Sequence, residues 1–326
     1  MKLRPRLSVL LSAFVVTAIM PLPSAGASAA TTTTVTGRVS ITIPRSAEPS
    51  SANAAAPRRH VSLVAGRHAW TLVGTAVQPL QSGSIIAATG TVSGSTFTVA
   101  SARVVAAPRA VSTTGTQTVE AILAEWTGGD SETSAALKAS IVDAGNWFSM
   151  VSGSRMSLTV ADPIGFVHIA APTGCDQDKI FADAVAAAGV NPASYDHVVV
   201  YFPAYASCTW AGLGEEPGNE VWLNGTTDLS VTAHELGHNL GLWHAHSLEC
   251  SAPGAAPDTQ TVSDNCAFPG NEYGDLSDTM GNEGGFGTPL YDAPHLAQLG
   301  WLGSDLSSPS PCIGAVHIAP YETPGA

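Results

Sequence analysis

His234, Glu235, His238 and His244 lie within one short stretch, and their types and spacing can do chemistry. His234 and His238 are four apart, so a helix puts them one turn above each other on one face, where two imidazoles can share an ion. Two ligands do not close a zinc site. Gly241 follows three residues later, where a residue without Cβ can take a left-handed conformation, end the helix and swing His244 back as third ligand. Three histidines leave the fourth position of a zinc ion for water. Glu235 is the only carboxylate in the stretch and is placed to act as general base. Zinc lowers the pKa of such a water from about 15.7 to about 7 and polarises a scissile carbonyl, which is the chemistry of peptide hydrolysis without a covalent intermediate. A helix with chance surface histidines is the rival reading. Requiring the glycine and the third histidine at fixed offsets makes an accidental match rarer by roughly a thousandfold. His246 is a competing third ligand, but the spacing from Gly241 favours His244.

The run fits the pattern H-E-x-x-H-x-x-G-x-x-H, and Met280 follows downstream in the stretch Glu272 to Gly281. With the stretch Cys208 to Gly214, these residues make the sequence resemble the metzincin clan of zinc endopeptidases, and within it the gametolysin-like secreted metalloproteases, over roughly residues 118 to 303. The resemblance implies an α/β (α+β) protease domain with a twisted mixed sheet and an active-site helix. It also implies Zn2+ on His234, His238 and His244, Glu235 as base, and Met280 in a turn beneath the metal. In metzincins an edge strand lines the cleft and takes extended substrates, a role expected here for Glu220 to Asn224. Some metzincins place a tyrosine ligand two residues after the methionine; here that position is Asn282, so none is expected.

These residues need elements to hold them. Asp228 or Thr227 should cap the zinc helix. Val119 to Trp126, Met156 to Val160, Phe166 to Ile169 and His197 to Phe202 read as strands. Ser131 to Val151 reads as a long helix with Leu137, Ile141, Ala144, Phe148 and Val151 on one face. Asp178 to Ala188 reads as a helix closed by Gly189, and Ala293 to Leu299 as one closed by Gly300. The Gly-, Pro- and Asp-rich stretch between His244 and Met280 should frame the cleft. Upstream, residues 1–30 read as a secretory signal peptide, with basic Lys2, Arg4 and Arg6, an apolar run to Met20, and small residues at the end. That run is too short to span a bilayer, so the mature protein is expected to be extracellular and free of the membrane. Residues 31–115 read as a small β-rich domain, with strands at Val35 to Ile43, Ala69 to Val73, Ser84 to Thr91 and Thr96 to Val99. A flexible excursion is expected at Ser46 to Arg59, and a linker between Ala106 and Gln117. Residues 116–326 form the protease domain.

Five cysteines, Cys175, Cys208, Cys250, Cys266 and Cys312, are expected to pair in an oxidising compartment. Proximity favours Cys175 with Cys208 and Cys250 with Cys266, which leaves Cys312 over. Asp275, Asp278 and Glu283 offer oxygens of the kind Ca2+ takes, against the reading of turn residues that bond the backbone. His197 and His295 are assigned to structure. The net charge of −13 is unevenly spread: residues 31–109 carry seven arginines against Glu48 alone, whereas residues 110–326 carry three basic residues against 25 acidic ones. So acidic a domain does not seek nucleic acid. The opposed charges suggest that the N-terminal segment docks on the protease as an intramolecular inhibitor, a prosegment released near Arg109. It has no cysteine, so it cannot block zinc by thiolate coordination; occlusion by Arg58, Arg59 and Arg67 is the expected device. The rival function is a cell-surface or polysaccharide-binding protein with a structural zinc site. Glu235 argues against it, as do the few aromatics of the N-terminal segment, Trp70 and Phe97. Protein or peptide substrates remain the expected partners.

Overall fold

Strand β1 (Thr32–Ser46) joins the two parts of one eleven-stranded sheet. The computed structural model describes residues 32–46, 59–66, 68–77, 80–128, 130–246, 273–281 and 288–302. The first part of β1 pairs with β4 (Ile85–Ser93) and its middle with β2 (His60–Ala65). β3 (His68–Val73) continues from β2, and β5 (Thr96–Ala106) joins β3 to β4, which closes a ring of five strands. Alternate residues point inward, and Val39, Ile41, Leu63, Ile86 and Phe97 fill the ring. The last residues of β1, Thr42 to Ser46, run antiparallel to β10 (Trp210–Glu215) and lead into the second part of the sheet.

That second part also holds β6 (Gly115–Glu125), β7 (Met156–Val160), β8 (Ile164–His168), β9 (His197–Phe202) and β11 (Glu220–Asn224). Its order from β1 is β1-β10-β11-β9-β6-β7, with β8 also on β6. All its pairings among β6 to β9 and β11 are parallel, and β10 alone is antiparallel to its neighbour β11. A parallel strand covered on both faces reads as a continuous apolar run, and β9 is buried at every residue. Val199 and Tyr201 face the core shared with helices α1 (Ser134–Val151) and α3 (Leu229–Asn239). Val198, Val200 and Phe202 face the core shared with α2 (Gln177–Ala188). Helix α4 (Ala293–Leu299) closes the described chain near Trp301.

Local chemistry sets the helix ends. Thr133 caps α1 by accepting from the Ala136 N–H at 3.1 Å, so the helix starts at Ser134 rather than Ser131. Asp176 caps α2 through the Lys179 N–H at 3.0 Å, and Gly189 ends it in a left-handed conformation. Cys175 and Cys208 form a disulfide with Cα atoms 4.9 Å apart, tying the start of α2 to the turn before β10. One expectation is overturned: Glu220 to Asn224 is not an edge strand. It lies between β9 and β10, because Trp210 to Glu215 folds back along it and pairs with its other side. Residues 1–31, where a signal peptide is expected, residues 47–58, and Cys250, Cys266 and Cys312 lie outside the described residues. Among the described residues, no helix is long and apolar enough to cross a membrane.

Candidate metal centre

Helix α3 is buried from Val231 to Asn239, so its histidines lie in the interior. Ser140 and Thr232 hydroxyls meet at 3.0 Å and tie α3 to α1. The expected side-chain cap is not made. Asp228 holds the N-cap position with extended backbone but no capping bond, and Thr227 instead donates to Glu132 at 3.1 Å. At the other end Gly241 takes φ 92°, and the Leu242 N–H bonds the Gly237 carbonyl at 3.1 Å. The chain therefore turns back and brings His244 beside the helix.

The nitrogens of His234, His238 and His244 that can serve as ligands lie within 4.8 Å of one another. Their rings are at most 3% exposed. His234 Nδ1 donates to the Thr279 carbonyl and His238 Nδ1 to the Leu242 carbonyl, each at 2.8 Å. With Nδ1 so engaged, each ring has Nε2 as its lone-pair nitrogen, the arrangement that metal-binding histidines use. Three buried imidazoles facing one another, two of them with Nδ1 on a backbone carbonyl, fit the donor set of zinc. His246 is exposed, and its Nδ1 donates to the His244 carbonyl at 2.8 Å, outside the cluster. The structure thus brings together His234, His238 and His244, with Glu235 fully buried beside them.

Two glycines make this packing possible. A Cβ on Gly212 of β10 would stand 2.4 Å from Glu235 Oε1, so only glycine leaves that carboxylate its room. A Cβ on Gly237 would stand 2.6 Å from Met280 Sδ and 2.5 Å from the Tyr291 hydroxyl. Met280 is fully buried beneath α3, and its carbonyl accepts from Ala245 N at 2.9 Å.

Asp278 organises this turn. It accepts from the Met280 N–H at 2.6 Å and the Asp292 N–H at 2.7 Å, and it pairs with His295 Nδ1 at 2.7 Å. Burial alone would raise its pKa; the His295 bond and charge and the two N–H bonds outweigh it and hold Asp278 below the usual carboxylate range. Burial likewise works to lower His295, but Asp278, with Asp292 and Asp275, lifts it above the usual histidine value. Asp275 accepts from Ser277 N–H and hydroxyl at 2.8 and 2.6 Å. The calcium reading therefore gains no support: these carboxylates are turn residues, and Glu283 lies outside the described residues.

Two contributors were not singled out from the sequence. Tyr273 packs its ring 4.1 Å from the His244 ring, and its place in the stretch leading to Met280 was the only signal for it. Asn239, next to His238, donates to the carbonyls of Glu215 and Glu220 at 2.9 and 3.0 Å and bonds His197 at 3.0 Å. Burial pushes His197 below its usual value, and it links Asn239 to Gln117, so its structural assignment agrees with its surroundings.

The family model for gametolysin peptidase M11 matches residues 93–250 of this chain. The match starts at the end of β4, upstream of the point where the sequence resemblance begins, and it contains the three histidines and Glu235. No curated protein matches the chain. Among solved structures, one described as a chaperone-substrate complex is 17% identical and covers 52% of this chain and 28% of its own, with a TM-score of 0.31. At that score it carries no argument about this fold.

Proposed function

We propose that this chain, whose residues 93–250 match the model of the gametolysin peptidase M11 family, is a secreted zinc endopeptidase that hydrolyses peptide bonds of extracellular proteins. The observation that carries this reading is the convergence of His234, His238 and His244 beside the buried carboxylate of Glu235. Bound there, zinc supplies a Lewis acid and a water with a pKa of about 7. His234 and His238 would present Nε2 because their Nδ1 protons are held by backbone carbonyls. Glu235 would take the proton of the attacking water and hand it to the leaving amine. Its confinement between α3 and Gly212 restricts the directions in which it can reach.

The N-terminal segment, residues 31–115, is read as a prosegment that follows a signal peptide at 1–30. Its net +6 faces −22 in residues 116–326, and Arg109, mostly exposed and paired with Asp196 at 3.1 Å, offers a site of release. The disulfide Cys175–Cys208 is compatible with an oxidising compartment.

The test is Glu235→Gln, assayed after the chain has been nicked within residues 106–115. The variant should keep its zinc by metal analysis and lose roughly 10² to 10⁴ in turnover on a mixed peptide library. Near-normal cleavage with unchanged zinc would remove Glu235 from its role. The same library, read by mass spectrometry with the active form, gives the cleavage preference.

A further inference from the structure

Strand β10 has two edges, and both are taken. On one side it pairs with β11. On the other, β1 runs antiparallel with Thr42 opposite Glu215, Pro44 opposite Leu213 and Arg45 opposite Gly212. Gly212 is the residue that packs against Glu235, and β1 itself also contacts α3. An extended peptide that joins this sheet beside Glu235 needs the same N–H and C=O groups of β10 that β1 now uses. The two exclude each other. We infer that the end of β1 is a removable occupant of the place where a substrate strand lies, and that Arg38 is the latch that holds it there. The inference rests on the endopeptidase reading above, and it replaces the expected plugging by arginines with pairing of backbone to backbone.

The seam around this pairing is made to come apart. The Arg38 guanidinium, carried on β1, bonds Glu215 at the end of β10 and Glu220 at the start of β11. Their side chains are 1% and 7% exposed, so the cation that answers these two buried acids comes from the N-terminal segment. Ser82, on the loop before β4, adds a 2.8 Å bond to Glu215. Arg59, just ahead of β2, lies 3.9 Å from Glu216 and 6.0 Å from the ring of Trp243, the neighbour of His244. A cavity of about 530 Å³ opens along the same seam, lined by Arg38, Ser82, Arg109, Glu215, Asn219 and Glu220. Charged groups and a void regain water when they separate, whereas two apolar faces would resist separation. Burial, with the neighbouring Glu215 and Asp178 carboxylates, raises the Glu220 carboxyl to about 8 against the downward pull of Arg38.

The test uses the full, zinc-loaded chain carrying Pro44→Cys and Leu213→Cys, which tie β1 to β10 when oxidised. After nicking within residues 106–115, the oxidised form should cleave the peptide library at least tenfold more slowly than the reduced form at equal zinc content. Wild type treated with the same reductant sets the baseline. Arg38→Gln in the intact chain should speed hydrogen exchange at the Gly212 to Glu215 amides at least tenfold and raise peptide cleavage with it. Equal cleavage by the oxidised and reduced forms overturns the occupant, and unchanged exchange in Arg38→Gln overturns the latch; both results leave the endopeptidase reading standing. A zinc-loaded chain whose β10 amides exchange freely, yet which cleaves nothing in the library, overturns that reading and this inference with it.

Discussion

Gly237 sits between the second ligand and the Met280 turn, where any larger side chain would collide with both Met280 and Tyr291. Helix α3 and the turn are therefore fitted at one residue, which keeps His234 and His238 at a fixed depth. The place of His244 depends on the chain reversal at Gly241. His244→Ala should cost most of the bound zinc, read by metal analysis after dialysis, while His246→Ala should retain it; the opposite pattern would move the third ligand to His246. The clustering of His234, His238 and His244 was legible in the sequence because its geometry is local, one helical turn and one left-handed glycine. Tyr273 and Asn239 were not. Their contacts depend on where distant segments come to rest, and nothing in their immediate neighbours signals it.

Among the elements, α4 is fastened to the Met280 turn by the Asp278–His295 pair. His295 titrates above its ordinary 6.5, so the stability it adds is fully present below 6.5 and is lost as pH rises through the raised value. Asp278 titrates below its ordinary 3.8, so its share is present above 3.8 and is lost as pH falls through the lowered value. The window therefore runs from about pH 4 to 6.5. His295→Asn should lower the melting temperature by about 2–4 °C within it, the shift expected for about 1 kcal/mol in a domain of this size. Thermal unfolding of both proteins from pH 4 to 9 should show the gap closing at the alkaline end; a gap independent of pH would mean that the pair is not ionic. The strands and helices at this scale were read well where an apolar period was long, as in β9 and α1. β10 was missed as a strand because Trp210 to Glu215 contains two glycines and little alternation. It becomes a strand through its neighbours, and missing it made Glu220 to Asn224 read as an edge strand.

Across the whole molecule, alternation located most strands of the N-terminal segment, but it could not reveal the closed ring or the sharing of β1. Both depend on partners far apart in sequence, up to the pairing of Ser46 with Trp210. Charge was the one long-range property that the sequence did display, and it pointed to the same two halves that meet at Arg38. The disulfide then acquires a second meaning. Cys208 stands two residues before β10, and the 33-residue loop it closes is worth about 4 kcal/mol in the chain-entropy account. With that anchor, β10 should keep its shape once β1 has gone, and a straight strand with one side open is a template for another molecule. Active enzyme held in concentrated stock should accordingly turn cloudy. Light scattering should rise with time after nicking and removal of the freed segment, and stay flat when that segment is added back. The covered strand would then protect the shelf life of the enzyme as well as its neighbours.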